Sequence, residues 1–262
     1  MSHSNTSAFT RFLHKLLRHS ALEADEQQAI LGLPVRPSQV RANADIVRIG
    51  ETVDHACLVV DGLVGRFEQT SEGQRQITSL HLPGDMIDLH SVVVPRSSSA
   101  LQALCTSTVL RVPHPALRDV TERFPAVGYA FWRECSVDAA ILSQWVANVG
   151  RRDAQSRLAH FLCEIAILME QAGLGSRSAF TLEATQTHLA DALGLTPVHV
   201  NRTIKALKEA GVLRLEGRTL HIDKWNALAS LGGFDASYLH LRLASRRAST
   251  APRADRARRA AE

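Results

Sequence analysis

The chain has 262 residues, 45% of them hydrophobic and 21% charged, an ordinary balance for a soluble globular protein and a length beyond one typical domain of roughly 100 to 200 residues. No stretch approaches the roughly 18 apolar residues of a membrane span, and the polar run Met1 to Ser7 does not lead into a secretory signal, so the expectation is a cytoplasmic protein with no membrane partner. The net charge is +4, yet residues 241–262 carry seven arginines against Asp255 and Glu262; the basic character sits in a tail that reads as disordered, able to offer phosphates only non-specific attraction.

From Phe9 to His19, apolar Phe9, Phe12, Leu13, Leu16 and Leu17 recur at helical spacing, and a second short helix is expected over Glu23 to Leu31. From about Val40 the pattern changes to short β-type runs punctuated by glycines. Cys57 to Val60, Leu63 to Gln69, Gln74 to Leu82 and Leu101 to Val112 read as strands, with Ser71-Glu72-Gly73 as a hairpin turn. Strands at this spacing suggest a small barrel or jelly roll.

Pro125 to Val149 reads as one helix of roughly 37 Å at 1.5 Å per residue. On it Phe131, Cys135, Leu142, Trp145 and Val149 form a heptad-like seam interrupted at Asp138, and spacing alone leaves open whether the seam meets a second copy or the chain's own barrel. Gly150-Arg151-Arg152-Asp153 then breaks the helix. Another follows, with Leu158, Phe161, Leu162, Ile165 and Leu168 on one face.

Cys57, Cys105, Cys135 and Cys163 lie too far apart for the usual zinc, iron-sulfur or dithiol spacings, and the twelve histidines form no HExxH or comparable frame, so no metal site is expected. Haem ligation by His81 or His90 has nothing specific behind it. P-loop, GxSxG and GxGxxG motifs are absent as well, which argues against an enzyme.

The informative stretch runs from Glu183 to Ile222. Gln186 to Leu193 reads as a short helix, Gly194-Leu195-Thr196 as a tight turn, and Pro197 to Ala210 as a second helix with Thr196 as N-cap and proline at the first position. Ala190, Gly194 and Val200 supply a small residue at the crossing, a glycine in the turn and an apolar lock, as a helix-turn-helix requires. With Val200, Thr203, Ile204 and Leu207 inward, Val198, His199, Asn201, Arg202 and Lys205 face outward, where a recognition helix meets the major groove of double-stranded DNA. Arg202 suits guanine, Asn201 adenine, Lys205 phosphate and Val198 a thymine methyl. Val212 to Leu215 and Thr219 to Ile222 flank Gly217-Arg218 as a two-stranded wing, with Arg214 and Arg218 as candidate phosphate contacts. A rival reading is a ligand-binding or protein-interaction module whose winged helix does not read DNA.

This order of parts resembles the Crp/Fnr family of bacterial transcription regulators from about residue 25 to 240, most specifically in GLTPVHVNRTIKALKEAGVL (194–213), DGLVGRFEQTSEGQRQITSLHLPGDMIDL (61–89) and the helix and hinge through Asp153. The resemblance implies an α+β fold: a lead-in helix at 1–22, a jelly-roll β-roll sensor domain at 23–124, a dimerisation helix at 125–150 and a winged helix-turn-helix domain at 151–240. It further implies a homodimer on a palindromic operator, and RNA polymerase as a partner. Arg202 falls at the family's guanine-reading arginine, whereas Val198 stands where many members carry glutamate. Members that bind cyclic AMP use a Gly-Glu-Leu run and a later Arg-Ser/Thr-Ala. Here the corresponding stretch after Gly84-Asp85-Met86-Ile87 is Asp88-Leu89-His90, and later Ser98-Ser99-Ala100, with Arg96 the nearest arginine, so the effector set would be Gly84, Asp88, Leu89, Arg96, Ser98 and Ser99. The cysteine cluster of iron-sulfur members is missing. A cyclic nucleotide, another small ligand and no ligand at all stay open, with an unidentified small-molecule effector ranked above cyclic AMP.

Overall fold

The computed structural model describes residues 3–240; the basic tail lies outside them. Helices α1 (His3–Leu17) and α2 (Ala24–Leu31) precede eight strands: β1 (Arg36–Val40), β2 (Asp45–Val47), β3 (His55–Asp61), β4 (Val64–Gln69), β5 (Arg75–His81), β6 (Met86–Ile87), β7 (Ala100–Ala103) and β8 (Ser107–Pro113). They form two antiparallel sheets, β1-β8-β3-β6 and β2-β7-β4-β5, packed around Val47, Val59, Val64, Ile87, Leu101 and Val109. Strand β3 is buried along nearly its whole length because its second face lies under α1, which is why it reads as a continuous apolar run rather than an alternating one.

Two sequence expectations change here. Leu101 to Val112 is two strands, not one, because the chain crosses between sheets at Leu104 to Thr106: β7 pairs with β4, and β8 with β3. Leu104 folds over Gly65, where its side chain leaves a Cβ only 3.1 Å of room. The lead-in helix is a full member of the core, with Phe9, Phe12 and Leu16 wholly buried.

After α3 (His114–Arg123) comes the long helix α4 (Pro125–Arg151), which runs two residues into the expected break. Arg152 is extended, and Asp153 caps α5 (Ala154–Ala172) by accepting hydrogen bonds from the Gln155 and Ser156 amides, both at 2.9 Å. The C-terminal part adds a sheet ordered β11-β12-β10-β9, made of β9 (Gly175–Ser176), β10 (Ala179–Thr181), β11 (Leu213–Glu216) and β12 (Thr219–Ile222). It also holds α6 (Gln186–Leu193), α7 (Pro197–Glu209) and α8 (Trp225–Gly232). Its core is continuous with the outer face of β4 and β5, through Phe67, Ile77 and Leu82.

One guanidinium fixes the junction. Arg157 donates to the carbonyls of Leu193 (2.6 Å) and Gly194 (3.3 Å) in the helix-turn-helix, and to those of Val149 (2.8 Å) and Arg152 (3.0 Å) at the end of α4. Without it these helix-end carbonyls lose their donor together. Arg157→Met is expected to lower the unfolding free energy by about 2–3 kcal/mol, measured as a shift in the urea midpoint at unchanged slope.

Candidate nucleic-acid interface and effector cavity

The turn between α6 and α7 is built as its sequence dictates. Gly194 takes φ +60°, the left-handed conformation that ends α6, and a Cβ there would stand 3.0 Å from Val149. The Thr196 hydroxyl caps α7 by accepting from the His199 amide at 3.2 Å. Ala190 and Val200 are buried where the two helices cross, with Thr203 and Leu207 buried on the same inward face of α7. Outward lie Val198, His199, Asn201, Arg202 and Lys205, all exposed, Val198 by 78%. Arg202 has no hydrogen-bond or ion-pair partner among the described residues, and Lys205 only a loose one, Glu209 at 3.8 Å. A free guanidinium on an exposed helix face is ready for a bidentate acceptor.

The wing forms as β11 and β12, and both of its arginines are paired within the chain. Arg214 lies against Asp223 at 3.0 Å and against Glu216, and Arg218 pairs with Glu183, so either arginine must exchange a carboxylate before it can meet a phosphate.

The seam on α4 also changes. Phe131 packs on Phe12 inside the chain's own core, and buried Trp145 packs edge-on to Phe161 with its indole N–H donating to Glu164 at 2.7 Å. Cys135 and Val149 are half-buried on the same side, with Val149 against the turn at Gly194. Of the five residues only Leu142 is exposed. The open stripe is Tyr129, Trp132, Ser136, Ala139, Ser143 and Val146, spaced 3, 4, 3, 4 and 3 apart. Tyr129 and Trp132 meet edge-on in solvent at 5.5 Å between ring centres.

Between the β-roll, α1, α4 and α5 lies a cavity of about 460 Å³. Gly84, Asp88, Ser98 and Ser99 line it as expected. Leu89 is buried in the core beneath α1 and does not, and exposed Arg96 lies outside, in an isolated backbone bridge to Thr52. The arginine that the β-roll puts into the cavity is Arg66 on β4, which donates to Ser99 at 2.7 Å and pairs with Asp88. Sequence reading missed it, although an arginine inside the apolar run Leu63 to Phe67 was the available signal. Lys15 and Arg18 of α1 line the polar end, and Leu80, Ile141, Trp145 and Leu168 the apolar one. His81 is pushed down to about 4 by burial, reinforced by nearby Arg66. Strand β5 serves both regions: Thr78 to His81 wall the cavity, while Arg75 reaches Asp191 at 3.3 Å and Gln76 donates to the Ala192 carbonyl at 3.1 Å on α6.

A β-roll, a long helix and a helix-turn-helix in this order find counterparts in known proteins. A model of the cyclic nucleotide-binding domain matches residues 37–124, and one of the Crp-like helix-turn-helix domain matches residues 156–231. The chain belongs to the Crp/Fnr family of transcription regulators. Among relatives, the anaerobic regulatory protein of Haemophilus influenzae is 25% identical over 79% of this chain and 79% of its own length. The fumarate and nitrate reduction regulatory protein of Escherichia coli is 25% identical over 76% and 79%. FixK2 from Bradyrhizobium japonicum has a structure similar to this one at TM-score 0.69, with 26% identity over 76% of this chain and 98% of that chain. As a Crp/Fnr protein the chain is a DNA-binding transcription regulator, not an enzyme.

Glu164 closes the apolar end of this regulator's cavity. Its carboxyl accepts from Trp145 and Tyr238, yet burial outweighs both and pushes it up to about 7. His160, 3.3 Å from the same Tyr238 hydroxyl, is pushed down to about 4, mainly by burial, and is neutral over this range. Because Glu164 is raised in the folded state, its contribution is fully present below the ordinary glutamate value and is lost as pH rises through 7. Melting curves from pH 4.5 to 7.5 are expected to show wild type losing up to about 3 kcal/mol relative to Glu164→Gln across that window.

Proposed function

We propose that this regulator binds a palindromic operator as a homodimer, with α7 of each copy in a major groove and the wing beside it. The observation that carries the reading is the unpartnered, exposed Arg202 in the middle of the outward face of α7, flanked by Val198, Asn201 and Lys205. In this reading residues 23–124 form the sensor, 125–150 the dimerisation helix and 151–240 the DNA-binding domain. Thr196 positions α7, Val198 meets a thymine methyl, Asn201 and Arg202 read base edges, and His199, Lys205, Arg214 and Arg218 serve the backbone.

The exposed stripe from Tyr129 to Val146 supplies the dimer seam. Its aromatic end and small-residue middle suit two parallel copies of α4 packed at close range. The cavity takes a small effector other than cyclic AMP, because the glutamate of the family's cyclic-AMP pattern is not in place and Arg66, the cavity's one strand-borne cation, is already held by Asp88. Contact with RNA polymerase and a cytoplasmic location complete the proposal, consistent with the lack, among the described residues, of a helix able to cross a membrane.

Selection of duplexes from random DNA by the purified full chain is expected to enrich a palindrome. Arg202→Ala is expected to lose one guanine preference per half-site, worth about 1–3 kcal/mol, while Lys205→Ala weakens all sequences evenly and flattens the salt dependence. Failure of wild type to enrich any duplex at moderate salt would sink the reading. For the seam, Trp132→Glu is expected to convert a dimer to a monomer in sedimentation analysis, whereas Leu142→Ala leaves the dimer intact.

A further inference from the structure

Helix α1 lies outside both matched domains, yet it is tied to every part of the regulator that meets at the cavity. Its Arg11 backs against Gly84 so closely that a Cβ there would stand 2.6 Å from the arginine Cβ, and Gly84 itself takes φ +100°. One turn on, the Lys15 ammonium donates to Asp85 of the β-roll at 2.7 Å and pairs with Glu134 of α4, whose side chain is 1% exposed. Burial disfavours that ammonium, but the two carboxylates outweigh it and hold Lys15 well above its ordinary value. The other oxygen of Glu134 meets His19 at 3.2 Å, and Arg133 binds the His19 carbonyl at 3.0 Å. Arg18 then bonds both the side chain and the carbonyl of Gln171 on α5.

We infer that α1 is a built-in occupant of the polar end of the effector cavity, cross-linking β-roll, α4 and α5 so that the DNA-reading arrangement is reached without a cyclic nucleotide. Lys15 makes the bridge from β-roll to long helix that an added ligand would otherwise make, and Arg18 extends it to α5, whose Arg157 grips the helix-turn-helix. An ion pair that takes the Glu134 carboxylate out of water is a costly way to gain stability alone. Three elements joined through one helix end set a geometry.

The test uses the full chain in a Cys105→Ser background, so that Cys135, half-buried on the cavity wall, is the accessible thiol among the described residues. Lys15→Met combined with Glu134→Gln removes the bridge without stranding a lone buried charge; Arg18→Ala cuts the outer tie and keeps the question open if the double variant does not fold. Folded variants are expected to show Cys135 labelled by a maleimide about tenfold faster, and affinity for the selected operator, with no ligand added, about tenfold lower. Cyclic AMP is expected to leave wild-type affinity unchanged. Labelling and affinity within about twofold of wild type would overturn the inference. So would faster labelling with unaltered affinity, or an operator affinity in wild type that rises about tenfold with cyclic AMP. The inference rests on the proposed operator reading for its affinity arm alone; if wild type selects no operator, that reading fails, and the labelling rate still decides whether α1 closes the cavity.

Discussion

Two helices that end at a common junction leave up to eight carbonyls without intrahelical donors, and water cannot serve those that other elements cover. In this regulator α4 and α6 end side by side, and Arg157 answers for both, with two carbonyls on each of its two terminal nitrogens. A lysine has one point charge and no fork, so it could not hold the four in one plane. The position of the turn at Gly194, and through it the aim of α7, is set relative to the end of the long helix by this side chain. Asp153 starts α5 so that Arg157 falls one turn later, on the face that looks back at α4.

How legible each part was in the sequence follows from the range of its contacts. The helix-turn-helix is held by neighbours within about 25 residues, Ala190, Gly194, Thr196, Pro197 and Val200, each doing a job that its residue type declares, and its boundaries emerge nearly as expected. The sheets are less legible because a strand's partner is not written beside it. The crossing at Leu104 is invisible until β4 and β3 are known to lie in different sheets, and the three-residue β2 is too short to show a period.

The cavity is the least legible part. Lys15 and Arg18, Arg66, and Glu164 come from three separate segments, and no local spacing unites them. Arg96 attracted attention by lying near Ser98 and Ser99 in sequence, whereas the arginine that binds Ser99 comes from the neighbouring strands. The heptad on α4 misled for a related reason. A helix packed on its own chain and open on the opposite side carries two apolar stripes, and Phe131 to Val149, richer in large side chains, is the one a sequence reader picks. The two stripes separate only when one is seen covered by Phe12 and Phe161.

Strand β5 gives this design a mechanical economy. Ser79 at the cavity and Gln76 at α6 are three residues apart on one extended segment, about 10 Å at 3.3 Å per residue. An extended strand resists compression along its axis far better than a loop does, and β5 pairs with β4 on both sides of a bulge at Thr78. One end lies at the cavity and the other on the first helix of the helix-turn-helix. The two regions are thus joined by a short covalent route from Ser79 to the Ala192 carbonyl, and the bulge at Thr78 is the one place along it where the strand can bend.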